Sequence, residues 1–495
     1  MKEMFAPASR STAQGWLLLT LLLLLTAYRL WIIPRLGVTL YIDEAQYWTW
    51  AKQLDWGYYS KPPLIAWLIA ASTALFGDGL LAVKLPALLL YPATAWLLYL
   101  LGRRLYDAQT GFRAGLAFAL IPLVSALGLA VSTDAPLLFC WALAMLALLR
   151  ALDQDRWRDW LLLGAAVGLG VMAKYTMAAF AASAVLYLLA DPQRRRAFLH
   201  PGLWLAVATA SLIVLPNIVW NLQHDFPTLR HTADITHVAG NTKQGNPGEF
   251  LLAQIGSLGP GFALAYLAGI GFALRRWREA RSQFLLAFSL PLLGLVFLQA
   301  LRAEANGNWP APALLAALLL GVAWLTRLRA RWWIAALTLN LALMFGAYHL
   351  GDYYRWREQP QPARMDPLKR AKGWDALAAA VRPHLAAHPG AQLLVKDRTL
   401  MAHLRYELRD LQLDALAWAP NAHPADHYQL TVPLQEVNGI RPLILVTQSG
   451  FDDVAARFAR SEKLASIRID VMPGLQRQVD VVLLEGFRDY PKEGT

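Results

Sequence analysis

Two adjacent carboxylates, Asp43 and Glu44, and a lysine ahead of a proline pair, Lys61, share the run "YIDEAQYWTWAKQLDWGYYSKPPLIAW". Close to a membrane surface, such acids can take up a proton or hold a cation, and such a lysine can meet a phosphate. The same run also reads as an interfacial helix, with Asp43 capping its first turn and Trp48, Trp50, Trp56, Tyr58 and Tyr59 forming an aromatic belt. Further polar residues interrupt apolar sequence. Asp134 sits in "VSTDAP" as a helix cap or a site residue, and Lys174 breaks the stretch around "AKYT". An unpaired ammonium there is costly, which favours a ligand or a carboxylate partner. "RAEANGNWPAPA" holds Arg302, Glu304, Asn306, Asn308 and Trp309, a polar turn or a sugar contact. His224, Asp225, His231, Asp234 and His237 have ligand chemistry without a recognised metal spacing. No phosphate-cradling glycine loop occurs, so the energy for any reaction must arrive in the substrate. Cys140 is the single cysteine, which excludes an internal disulfide and a cysteine zinc cluster.

The elements that must position these residues are mostly membrane helices. Of 495 residues, 57% are hydrophobic and only 16% charged, a balance that belongs in a bilayer. About eleven apolar spans begin near Trp16, Leu80, Ala114, Ala135, Trp160, Tyr175, Gly202, Phe250, Gln283, Pro310 and Trp332. A break at "AKYT" would change that count. The first span reads as an uncleaved anchor, since no small-residue cleavage site follows it. Residues 1–349 carry 27 Lys+Arg against 16 Asp+Glu, and 350–495 carry 19 against 18. Eighteen of those 27 lie at the N-terminus and in alternate loops, 103–113, 150–159, 191–196, 275–281 and 327–331. These loops are expected to be cytoplasmic, which puts the candidate residues and the segment after 349 on the opposite face. The net charge of +12 is thus a membrane-topology signal and not a nucleic-acid footprint. The fold class expected is a polytopic α-helical membrane domain, 1–349, followed by an extracytoplasmic α/β domain, 350–495. Its elements are an amphipathic run at 366–388, strands at 391–397, 441–448 and 479–487, and a helix at 452–464. A Pro-rich linker at 353–367 precedes them.

"DEAQYW" followed by "YYSKPPL", then "STDAP", "AKYT" and "NWPAPA" in successive outer loops, resembles the polyprenyl-phosphate-sugar-dependent glycosyltransferases of the GT-C fold. The likeness is to the bacterial lipid A 4-amino-4-deoxy-L-arabinose transferase group and, more distantly, to the protein O-mannosyltransferases. It implies a sugar carried on undecaprenyl phosphate, entering from the outer leaflet of a bacterial inner membrane. It also implies an envelope acceptor such as lipid A, lipopolysaccharide, another surface glycan or a protein. By this resemblance Asp43 is the catalytic acid-base residue and orients or deprotonates the acceptor for a single inverting displacement. Lys61, Lys174 and Arg302 are expected at the donor phosphate. Glu44, Tyr59, Asp134, Tyr175, Glu304, Asn308 and Trp309 are expected at the acceptor or sugar. A divalent cation, held by Glu44, Asp134 and His224, is the one cofactor the resemblance admits. The arabinose transferases have Glu directly before the lysine where this chain has Ser60, which counts against a metal site of their type and against aminoarabinose as the sugar.

Two other classes fit parts of the pattern. A transporter or flippase of lipid-linked sugars would also place charges in an apolar bundle, but it usually binds at the midplane between paired halves. A non-catalytic scaffold for the soluble domain needs no acidic pair in its first outer loop. In the soluble domain Asp397, His403 and His427 are expected to be structural.

Overall fold

The computed structural model describes residues 8–236, 244–421, 423–435 and 439–490. Every one of the eleven expected starts falls on or beside a helix, because apolar runs of this length have no other way to satisfy their backbone in lipid. Six described helices are long and apolar enough to cross a membrane alone: Thr12–Leu36, Leu80–Leu105, Asp134–Gln154, Pro201–Gln223, Ala280–Arg302 and Ala330–Tyr348. Pro247–Leu258 and Pro260–Arg275 make a seventh span if counted as one, bent by 105°. The bend is built by Gly259 at φ +81°, where a Cβ would lie 1.9 Å from the Asn340 side-chain oxygen. Asn340 in turn donates to the Leu258 carbonyl at 2.9 Å. The remaining expected spans are shorter pieces packed among these. Ala311–Leu325 is buried almost throughout by its neighbours, and the segment after Trp157–Ala173 breaks at Lys174 into a single 3-10 turn before Ala178–Leu189.

The basic loops meet at one end of the bundle. Arg104 pairs with Asp153, Arg150 with Asp159 at 2.8 Å, and Arg281 lies over Tyr106 at 4.9 Å. At the other end the segment after the first apolar helix folds into the helices Ile42–Lys52 and Leu64–Phe76, joined by a loop that carries Lys61.

The C-terminal domain is a five-stranded mixed sheet with helices. Its strands are β1 (Gln392–Val395), β2 (Ala415–Ala417), β3 (Leu443–Thr447), β4 (Phe458–Met472) and β5 (Leu475–Phe487), in the order β2-β1-β3-β5-β4. β1 is parallel to β2 and β3, whereas β5 is antiparallel to β3 and β4. The helix expected at 452–464 is only Asp452–Ala455, and from Phe458 onward the segment belongs to β4. Local charge spacing suggests a helix there, but cross-strand pairing along β5 outweighs it. The domain sits on the Ile42–Lys52 helix. Tyr406 packs edge-on against Trp48, His427 against Trp50 and Tyr58, and the Tyr428 hydroxyl donates to Thr49 at 3.3 Å. Asp397 caps the Arg398–Glu407 helix, and His403 is buried in a stack on Trp374, so these polar residues and His427 serve the domain's own packing and docking.

Glu44 belongs to this scaffold, which corrects its expected place at the acceptor. Its carboxylate is 1% exposed and receives Lys84 Nζ at 2.7 and 2.5 Å, Val131 N at 2.6 Å and Tyr41 N at 2.8 Å. Both oxygens are therefore taken up within the protein. Breaking a buried pair from one side leaves an uncompensated charge and costs on the order of 3–5 kcal/mol. Glu44→Ala and Lys84→Met should each lower the midpoint of thermal unfolding in detergent markedly. Glu44→Ala combined with Lys84→Met should lose less than the two single losses added together. Strict additivity would mean that the two side chains stabilise the fold independently.

Candidate active site

Successive helical residues point in different directions, so with Glu44 turned inward Asp43 faces out. Its side chain is 56% exposed and lies 3.2 Å from Arg398 Nη2 of the C-terminal domain. The same guanidinium donates through Nη1 to the buried Gln46 Oε1 at 2.8 Å, one turn along the helix. Arg398 and Gln46 were not among the candidates read from the sequence. No local signal marks Arg398, whose partner is a long way back in the chain.

The Lys61 loop is held by the Pro201–Gln223 helix and by Thr228 of the following Pro227–Ile235 helix. Trp220 Nε1 donates to Asp55 Oδ2 at 2.7 Å, Asn217 Nδ2 to the Trp56 carbonyl at 2.7 Å, and Thr228 Oγ1 to the Tyr58 carbonyl at 2.9 Å. Gly57 must be glycine here, since a Cβ would stand 2.3 Å from the Trp220 ring. Trp50 and Tyr58 stack with centroids 4.5 Å apart, and the Tyr58 amide donates to the Lys61 carbonyl at 3.2 Å. The expected aromatic belt is thus largely an internal brace for the loop. Tyr59 is buried too, its ring 5.4 Å from that of His231.

Lys174 has the carboxylate partner that its cost demanded. Its Nζ is 2.8 Å from Asp134 Oδ1, and Asn308 Nδ2 donates to Asp134 Oδ2 at 2.8 Å. Asp134, Lys174 and Asn308 thus form one cluster. Tyr175 joins the loop brace instead, donating to Asn217 Oδ1 at 2.7 Å and accepting from Asn221 at 3.1 Å.

Between the loop and the cluster lies a cavity of about 570 Å³. Ser60, Lys61, Lys174, Tyr175 and Trp309 form its polar end, Ala179, Ile235, Leu292, Leu295 and Val296 the apolar part of its wall, and Thr232, Thr236 and Gln299 also line it. Leu295 is 62% exposed, so the wall continues onto an outward apolar face. Lys61 makes no ion pair among the described residues. Burial, and then the charge of Lys174, pull its pKa down to about 8, against the opposing pull of Asp43 and Asp134. Burial and the charge of Lys61 likewise lower His231 to about 4, so its imidazole is neutral at physiological pH. An apolar chamber ending in one unpaired and one paired ammonium fits an amphiphile with a phosphate head.

Some expected residues lie elsewhere. Arg302 ends its helix one turn beyond Gln299, with its side chain exposed and outside the cavity lining, which corrects its expected place at the phosphate. Glu304 lines a separate hollow of about 340 Å³ with Asn246, Glu249 and Asn306. His224 stacks on Trp220 and contacts the Trp220 carbonyl at 2.8 Å, and His237 lies outside the described residues. Glu44, Asp134 and His224 do not converge. Among the described residues no three His, Cys, Asp or Glu side chains are placed to hold a metal, and the two carboxylates are each occupied by a lysine. The donor set does not fit a divalent cation of the kind the resemblance admits.

The family described as dolichyl-phosphate-mannose-protein mannosyltransferase matches residues 60–220, which include Lys61, Asp134 and Lys174. The lipid A galacturonosyltransferase RgtD of Rhizobium johnstonii is 33% identical over 82% of this chain and 86% of its own length. The undecaprenyl phosphate-α-4-amino-4-deoxy-L-arabinose arabinosyl transferase of Pseudomonas aeruginosa is 33% identical over 39% of each chain. ArnT from Cupriavidus metallidurans, 16% identical, superposes with a TM-score of 0.65 in the apo state, covering 95% of this chain and 98% of that one. Its undecaprenyl phosphate-bound crystal structure gives 0.63. The chain belongs to this family of GT-C membrane glycosyltransferases, multi-pass enzymes that take their sugar from a lipid-linked donor.

Proposed function

We propose that the protein transfers an acidic sugar, a uronic acid, from a polyprenyl phosphate of the undecaprenyl type to lipid A or the lipopolysaccharide core, on the periplasmic face of the inner membrane. The observation that carries the reading is the unpaired Lys61 ammonium at the polar end of a chamber whose apolar wall runs outward. The lipid chain follows the wall past Leu295, and its phosphate meets Lys61 and Lys174. Asp43, whose field reaches Lys61, accepts the proton of the acceptor hydroxyl as its oxygen attacks the anomeric carbon. The bond from that carbon to the phosphate oxygen breaks, and the phosphate leaves with the electron pair. Configuration inverts. Ser60 supports an acidic sugar, because the wall there lacks the carboxylate of the arabinose transferases and stays cationic. RgtD, named as a galacturonosyltransferase, agrees with it. The clustering of the basic loops at the opposite end of the bundle supports the orientation.

The first test compares cells carrying wild type or Asp43→Asn by mass spectrometry of lipid extracts. The mutant should accumulate one polyprenyl-phosphate sugar while lipid A or core loses the same mass. Identical profiles at equal protein level would remove Asp43 from the reaction.

Lys61→Ala should lower kcat/KM by roughly 10²–10³, the usual loss for a charge aimed at a developing anion. In the wild type, kcat/KM for the donor should hold level from neutral pH to about pH 8 and fall as the pH rises through it, because the free enzyme then loses the Lys61 proton. Lys61→Arg should abolish that fall, since a guanidinium stays charged. A fall that persists in Lys61→Arg would assign it to another group.

Ser60→Glu supplies a partner for Lys61. It should move the alkaline fall upward and cut turnover of a uronosyl donor roughly tenfold by like-charge repulsion. Unchanged turnover of that donor would argue against an acidic sugar beside Ser60.

A further inference from the structure

We propose that Arg398 is a positioning residue for Asp43, so that the C-terminal domain completes the active site of the membrane domain. The inference rests on Asp43 being the base in the proposed reaction. Three cations stand around the candidate site: Lys61, Lys174 and Arg398. Lys174 is held by Asp134 at 2.8 Å, and Lys61 faces the cavity. Arg398 is the one placed on Asp43, with 3.2 Å between Nη2 and Oδ1.

The guanidinium is fixed from both sides. Its planar fork reaches Asp43 with one nitrogen and Gln46 with the other, which ties it to two successive positions on one face of the Ile42–Lys52 helix. Its own helix, Arg398–Glu407, is capped by Asp397 at 2.8 Å, and its last turn is seated by Tyr406 on Trp48 and on the Asp78 carbonyl. Arg398 therefore cannot follow a wandering carboxylate. The carboxylate must come to it.

Without Arg398, Asp43 is left in the field of Lys61, where the phosphate has to bind. A carboxylate drawn there would be aimed away from the acceptor and would occupy the leaving-group cation. Holding Asp43 from the other domain keeps base and phosphate site as two separate charges. The pair is also open enough for chemistry, with the side chains 56% and 34% exposed, so an incoming acceptor can reach the carboxylate without dismantling the fold. An ion pair this exposed contributes little to stability. Its removal should register in the rate.

The experiment measures kcat and KM for the lipid donor on full-length protein in nanodiscs, for wild type, Arg398→Gln, Arg398→Lys, Gln46→Leu and Asp43→Asn, with thermal unfolding of each. Arg398→Gln should keep the wild-type unfolding midpoint and lower kcat 10- to 100-fold with donor KM changed less than threefold. Arg398→Lys should recover most of that rate, and Gln46→Leu, which removes the second anchor, should lose a few-fold in kcat. In the Asp43→Asn background the Arg398→Gln change should have no further effect. Wild-type kcat in a folded Arg398→Gln protein would overturn the proposal, as would a loss confined to donor KM or a lysine variant no better than glutamine. Should Asp43→Asn itself turn over normally, the reading of Asp43 as base fails first. An inactive Asp43→Asn beside a fully active Arg398→Gln defeats only the role of Arg398.

Discussion

The buried carboxylate of Glu44 is the interaction on which the rest of the site depends. It ties three separate stretches to one point: the start of its own helix through Tyr41 N, the Leu80–Leu105 helix through Lys84, and the turn before Asp134 through Val131 N. Each contact places something. The first fixes where the helix begins, and hence that the preceding residue, Asp43, is turned outward. The second sets the height of that helix over the bundle. The third brings the Asp134 turn, and with it Lys174 and Asn308, to the same level. A buried pair is no gift to stability, because desolvating both charges costs about as much as their attraction returns. Its use here is to select one arrangement, since any other would leave a charge in the apolar interior.

Against that anchored background the two lysines of the cavity are treated differently, and the difference separates scaffold from site. Lys174 is fixed by its ion pair with Asp134, whose other oxygen is in turn held by Asn308. Lys61 has its loop braced by Trp220, Asn217 and Thr228, but its ammonium has no counter-ion among the described residues, and burial lowers its pKa to about 8. Rigid backbone with an unsatisfied charge is the signature of a prepared anion site. The same backbone rigidity explains Gly57, where the indole of Trp220 occupies the space of a side chain.

Much of this was legible in the sequence, and the rest failed for identifiable reasons. The helices were visible because long apolar runs can do little else in lipid. Their lengths were less so: a single lysine in "AKYT" ends a helix, and the bend at Gly259 depends on Asn340, far along the chain. Asp43, Lys61, Asp134, Lys174, Asn308 and Trp309 stood out as polar residues in apolar surroundings. What spacing does not carry is which charge meets which. Glu44 and Asp43 are indistinguishable neighbours until Lys84 takes one of them, and Lys84 itself is hidden inside an apolar run. Arg398 sits in an ordinary capped helix of a soluble domain, and only the docking of that domain brings it to Asp43. The strand misread as a helix at 452–464 shows the same limit, for its pairing partner decides its conformation.

On the proposed reaction, the arrangement of charge also says where the catalytic advantage lies. The donor's phosphate is a diester with one negative charge. The departing lipid phosphate is a monoester that gains a second charge as the bond to the sugar breaks. Lys61 and Lys174 therefore interact more strongly with the transition state than with the bound donor, and only such a difference raises the rate of the chemical step. Arg398 does not add to this term because it is committed to Asp43 and Gln46 on the other side. The same gradient acts on the product. The lipid phosphate that remains after transfer is held more tightly than the donor that brought the sugar, so its lateral exit along the apolar wall becomes the slow step as the chemistry becomes fast.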